Sequence, residues 1–219
     1  MAGSDALPAN ELAKMLRALD SPRDRLLLVL LLATGLRISE ALSLRVSHVC
    51  STDLRVRDCI VVPRASMKGK LSARTCWLIP EVRVVLAAYV QWLGTLDLNQ
   101  VLFPSRKGEN LSVTPRHAAR LLLPAFQAAA KNGHYTTHSP RKWFARRLHA
   151  AMGRDLYATA AALGHRSPES TTHYLSSTQQ RIRRAINKAL PEVFLGCSSF
   201  FATANAEEDT CTSKEIVAQ

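Results

Sequence analysis

The apolar run LLLVLLLATGL, Leu26 to Leu36, follows the charged trio Arg23, Asp24 and Arg25. It is too short to span a bilayer and lacks signal-peptide flanks, so it predicts a buried core helix. Several helix starts are written as Ser or Thr followed by Pro: Ser21-Pro22, Thr114-Pro115, Ser139-Pro140 and Ser167-Pro168. Such a pair supplies a capping oxygen and then a residue whose missing N–H costs nothing in the first turn. The helices they open are predicted at 22–34, 115–131, 140–152 and 168–175, with Gly35, Gly133 and Gly153 as stops near their ends. A further helix is expected over 155–163, stopping at Gly164, and two more over 8–19 and 80–93.

Between residues 55 and 79 the pattern changes. VRDCIVVP and ARTCWLIP are rich in β-branched and aromatic residues and flank MKGKLS, a turn-like segment that holds a glycine and carries Lys68 and Lys70. The fold expected is mainly α-helical with one small antiparallel β-sheet, an α+β arrangement. Residues 1–194 read as one domain. From 195 to 219 the chain is a tail: PEVFLGCSSFF, 191–201, is apolar, and the acidic, Ser/Thr-rich remainder reads as disordered.

The chain carries 29 Lys and Arg against 17 Asp and Glu, a net +12. The tail holds Glu207, Glu208, Asp209 and Glu215 against Lys214, so the positive excess is concentrated in the domain. Neutralising phosphates and releasing their counterions is the largest sequence-independent source of nucleic-acid affinity, so the excess favours a polyanionic partner. Cysteines 50, 59, 76, 197 and 211 form no CxxC and no metal-ligand spacing. Neither a zinc site nor a secreted disulfide framework is expected, and a reducing, cytoplasmic setting suits them.

Basic and nucleophilic residues recur where an element begins or turns. In ATGLRISEAL, Arg37 follows the Gly35 break. In HSPRKW, His138 precedes Ser139, and Arg141 falls in the first turn, beside amide donors that favour an anion. In ALGHRSPESTTHYL, His165 leaves one helix and Tyr174 lies within or at the end of the next.

These four pieces, in this order, resemble the tyrosine recombinase family of phage integrases, Xer-type resolvases and fimbrial inversion recombinases: ATGLRISEAL, a lysine in a β-turn, His138-Ser139-Pro140-Arg141, and LGH with Tyr174 nine residues after His165. The resemblance covers about residues 8–190 and implies the tyrosine recombinase catalytic-domain fold. It implies Tyr174 as the nucleophile on a scissile DNA phosphate, with Arg37, Arg141 and His165 on the non-bridging oxygens. Lys68 is implied as the general acid, with Lys70 as the alternative in a turn longer than usual for the family, and His138 as an assistant in proton transfer or phosphate orientation. Neither metal nor cofactor is implied. Double-stranded DNA is the implied partner, bound by four protomers on two duplexes that exchange strands through a Holliday junction, with accessory proteins as further partners and no membrane. Pro140 and Lys142 depart from the family's Leu and His around the second arginine. The N-terminal domain that often closes around DNA from the opposite face is not expected in this chain.

Blander roles fit each residue alone. Arg37 can pair with Glu40 three positions on, with Glu40 bracing it. His165 can cap a helix C-terminus, Tyr174 can be a half-buried aromatic, and RIRR, 181–184, can be a solvated or phosphate-facing side. The segment 193–201 can dock on a neighbouring protomer or close the domain's own core. A type IB topoisomerase would share the phosphotyrosyl chemistry, and a non-cleaving DNA-binding protein could share the fold.

Overall fold

The computed structural model of the chain describes residues 5, 7, 11–63, 74–108, 110–129, 133–164 and 175–202. Lys68, Lys70, His165 and Tyr174 lie outside the described residues, as do the proposed helix start at Ser167-Pro168 and the chain beyond 202.

In chain order the elements are α1 (Leu12–Arg17), α2 (Pro22–Thr34), α3 (Ile38–Leu42), α4 (Val46–Val49), β1 (Cys59–Val62), β2 (Arg74–Trp77), α5 (Pro80–Leu93), α6 (Pro115–Leu121), α7 (Leu123–Ala129), α8 (Ser139–Ala151), α9 (Leu156–Ala162), α10 (Leu175–Ala189), α11 (Pro191–Phe194) and α12 (Ser199–Ala202). The two strands pair antiparallel, with Ile60 opposite Cys76 and Val62 opposite Arg74. The fold is therefore mainly helical with one small antiparallel sheet.

α2 is the axis of the core. Its residues from Leu26 to Thr34 are all buried, as expected of a helix that is apolar on every side. It packs between α5 and α8, so everything hung on its C-terminal end is rigidly placed. That end is set by Gly35, whose φ of 60° is left-handed and whose N–H donates to Leu31 O at 3.0 Å. A Cβ at this position would stand 2.5 Å from Cδ1 of Phe144 on α8. Gly35→Ala is expected to destabilise the fold by about 2–4 kcal/mol, from the left-handed backbone and the clash together. A lowered urea midpoint with an unchanged slope checks this.

Two local expectations need correcting. The helix predicted over 115–131 is two helices, α6 and α7, parted at Leu122, because Pro124 offers no N–H to continue the backbone ladder. α8 begins at Ser139 with His138 in the N-cap position, and the Ser139 hydroxyl instead accepts from Thr136 N at 3.0 Å. Thr114 does cap α6, through His117 N, and Asp155 caps α9, through Ala158 N.

α10 was not anticipated, although Ile182, Ala185, Ile186 and Leu190 fall at helical spacing and are buried. The arginines of RIRR flank that stripe. Arg181 pairs with Asp155 at 2.9 Å, while Arg183 lies 4.8 Å over the Trp77 ring and 3.4 Å from Asp58. Gln179 accepts from Trp77 Nε1 at 3.1 Å. Together these contacts tie α10 to β2 and to α9. After it, Phe194, Cys197 and Phe201 are buried in the chain's own core, and Arg25 donates to Phe200 O at 2.7 Å. Among the described residues no helix is long and apolar enough to cross a membrane.

Candidate phosphate-binding site

Arg37 occupies the N-cap position of α3, two residues after the Gly35 break. Its backbone N–H donates to Glu40 Oε2 at 2.9 Å, and its Nη1 to Oε1 at 2.8 Å. The ion pair expected from the three-residue spacing is thus present, and it leaves the Arg37 side chain partly open to solvent.

Arg141, in the first turn of α8, reaches the same carboxylate, with Nη1 4.0 Å from Glu40 Oε2. Its nitrogens also donate to Gly35 O at 2.5 Å and to Leu163 O at 2.8 Å. One guanidinium therefore joins the end of α2 to the end of α9. Leu163 stands two residues before His165, so the backbone leading to that histidine is tied to the site.

A third arginine completes the cluster, and the sequence reading passed over it. Arg74, at the start of β2, donates through Nε to Ala162 O at 3.0 Å and through Nη2 to Thr34 O at 2.6 Å, and its Nη1 lies 3.7 Å from Glu40 Oε2. Side-chain exposure rises from 2% at Glu40 through 5% at Arg74 and 11% at Arg141 to 40% at Arg37, so the charges form a graded cluster that reaches solvent at Arg37. A signal was available: period two along ARTCW puts Arg74 on the same face as buried Cys76, and an inward arginine needs a charged or carbonyl partner.

His138 is close in sequence, at the N-cap of α8, and is exposed, with no side-chain capping bond. The site among the described residues thus brings together Arg37, Arg141, Arg74 and Glu40.

The electrostatics favour an anion. Burial pushes the Arg141 pKa down to about 10, and the charges of Arg74 and Arg37 push the same way. Arg141 stays protonated at neutral pH, yet in surroundings that an incoming phosphate would improve. For Glu40, burial acts to raise the pKa. Hydrogen bonds from the Arg37 backbone and side chain, with the charges of Arg74 and Arg37, outweigh it, and the pKa falls below the ordinary 4.5. A depressed folded-state pKa gives stabilisation that is complete above the unfolded value and is lost as pH falls through the folded one. Glu40→Gln is therefore expected to cost about 3 kcal/mol at neutral pH, with the difference from the wild-type chain closing as pH falls through that lowered value. Paired melting curves across the acid range check it.

Arg37 and Arg141 meet on helix starts around a buried carboxylate, with Arg141 bonded to the ends of two other helices, and the fold that holds them is that of tyrosine recombinase catalytic domains. The Phage integrase family profile matches residues 5–181, and the chain belongs to that family. It is 31% identical over 170 residues to tyrosine recombinase XerC of Rickettsia canadensis (strain McKiel), which covers 77% of this chain and 52% of that protein. The XerC of Rickettsia prowazekii (strain Madrid E) is 30% identical over the same coverage. The chain spans about half the length of these curated relatives. Among solved structures, the integrase of mycobacterium phage Brujita superposes with a TM-score of 0.60 at 16% identity, over 89% of this chain and 63% of that one. XerA recombinase gives 0.60 at 20% identity, over 89% and 65%.

Proposed function

We propose that this chain is a site-specific recombinase that cuts and rejoins duplex DNA through Tyr174. The observation that carries the reading is the meeting of Arg37 and Arg141, from distant parts of the chain, at one buried carboxylate, with Arg141 bonded to the end of α9 just before His165.

The Tyr174 oxygen attacks the scissile phosphorus, and the 5′ oxygen of the next nucleotide leaves, taking a proton from Lys68, or from Lys70 as the alternative in the same turn. The products are a 3′-phosphotyrosyl bond and a free 5′ hydroxyl. Arg37, Arg141 and His165 hold the non-bridging oxygens as negative charge builds, and His138 orients the phosphate or relays a proton. A phenol has a reference pKa near ~10 and is a poor nucleophile when protonated, so the adjacent cations also serve to favour its anion. The tyrosyl ester retains the energy of the broken phosphodiester, so a 5′ hydroxyl from a second duplex reverses the step without ATP. Leu175, which opens α10, follows Tyr174 directly, and α10 is anchored on β2 and α9, which supports delivery of the tyrosine from a fixed base.

Duplex DNA as substrate is supported by XerH recombinase, seen bound to its difH substrate before cleavage, which superposes with a TM-score of 0.53 at 22% identity. The assembly that goes with this reading is four protomers on two duplexes, exchanging strands through a Holliday junction, with accessory proteins as further partners; the segment 193–201, with Phe194, Cys197 and Phe201 buried in the chain's own core, favours closing that core over docking on a neighbour.

The test is covalent capture. Nicked duplexes tiled from the DNA flanking the gene are incubated with the chain, so that the short fragment carrying the free 5′ hydroxyl diffuses away after cleavage and traps the adduct. A site-dependent complex that survives denaturant supports the reading. Binding without any adduct leaves a DNA-binding module, and relaxation of supercoiled plasmid without site preference leaves a topoisomerase.

A further inference from the structure

We infer that Arg74 is the counter-charge of Glu40, a positioning residue that occupies the buried carboxylate so that the charges of Arg37 and Arg141 stay directed at the phosphate. The inference rests on the recombinase reading above and deepens it.

Arg74 is buried, and two of its three guanidinium nitrogens are fixed on the carbonyls of Thr34 and Ala162. The third, Nη1, is buried without a hydrogen-bond partner and faces Glu40 from 3.7 Å. That separation is too long for a hydrogen bond but close for two charges away from water. A clamp on two carbonyls alone needs no charge, and leaving a charged donor unbonded in a core is costly. The arrangement makes sense if the charge itself is used.

Three guanidinium groups face one carboxylate, so this cluster keeps two positive charges beside whatever Lys68 and His165 add; without Arg74 it would keep one. A phosphodiester brings one negative charge, and the attacking phenolate brings a second into the transition state. Arg74 therefore adds a positive charge whose effect is larger in the transition state, with its second negative charge, than in the ground state, which is the condition for rate acceleration. Glu40 in turn braces Arg37 through its backbone and side chain, so losing the counter-charge would let the carboxylate draw the two outer arginines inward.

The test uses nicked duplexes recovered by covalent capture, with the scissile phosphate either natural or a methylphosphonate, in which a methyl group replaces one non-bridging oxygen and removes the charge. Arg74→Met is expected to bind DNA within about 2-fold of the wild-type chain and to cleave the natural diester roughly 10–100-fold more slowly. On the methylphosphonate its deficit is expected to shrink to about 3-fold or less, since less charge needs matching. Adding Glu40→Gln to Arg74→Met removes the unbalanced carboxylate and is expected to restore cleavage by about 5-fold or more. A wild-type rate in Arg74→Met, or equal deficits on both diesters with a double variant slower than the single, overturns the inference and leaves a structural clamp. If Arg74→Met is unfolded at the assay temperature, Arg74→Lys decides. It keeps the charge, so its ratio of natural to methylphosphonate cleavage should equal the wild type's, and a ratio shifted about 10-fold toward methylphosphonate overturns the inference. Absence of any adduct from the wild-type chain removes the recombinase reading and this inference with it, whereas wild-type adduct beside an unaffected Arg74→Met removes the inference alone.

Discussion

Tyr174→Phe is expected to bind the captured nicked duplex as tightly as the wild-type chain and to form no covalent adduct, a loss of more than about 10⁴-fold. The substitution removes one oxygen and leaves the ring, so packing around the residue is unchanged and binding, which comes chiefly from phosphate contacts, persists. No other group restores the product, because the adduct is the bond to that oxygen. An electrophoretic shift under native conditions and denaturing gels of the same reaction separate the two properties. Wild-type adduct yield from Tyr174→Phe would remove this residue from the chemistry.

Arg141→Ala is expected to lose both activity and stability. Removing a preorganised donor from developing oxyanion charge costs about 10²–10³-fold in rate. The same guanidinium also satisfies Gly35 O and Leu163 O, and losing a buried charged donor from two carbonyls costs about 3 kcal/mol or more. Arg37→Ala is expected to show a similar loss of rate with a smaller stability change, because its side chain is the most exposed of the three and donates to no carbonyl beyond its own turn. Arg141→Lys keeps the charge but not the planar fork that spans both carbonyls, so it falls between. Cleavage rates and urea midpoints on the three variants test the split. Equal stability losses at positions 37 and 141 would contradict the division of roles.

Much of this organisation could be read from the chain, for local reasons. α2, α5 and α8 are bounded by Pro in the first turn and, for α2 and α5, by a left-handed glycine, signals that depend on a few adjacent residues. The Arg37–Glu40 pair is legible because three residues on a helix turn bring side chains together. Arg74 was not read, because its partners Thr34, Ala162 and Glu40 come from three other parts of the chain. Only tertiary packing brings such groups together; the sequence offers just the inward register of β2 as a hint. α10 was obscured by its own charges: RIRR drew the reading toward a surface patch, while the apolar stripe of Ile182, Ala185 and Ile186 ran beneath it. The break between α6 and α7 was missed because Thr114-Pro115 signals a start so strongly that Pro124, a second breaker inside the same run, was absorbed into one helix.

Mapping the adduct identifies the nucleophile. After capture and trypsin digestion, the peptide from Ser167 to Arg181, which contains a single tyrosine, is isolated and fragmented by mass spectrometry. The expected product is a nucleotide joined through its 3′ phosphate to the oxygen of Tyr174. A nucleotide on any other residue, or one attached through its 5′ phosphate, would contradict it.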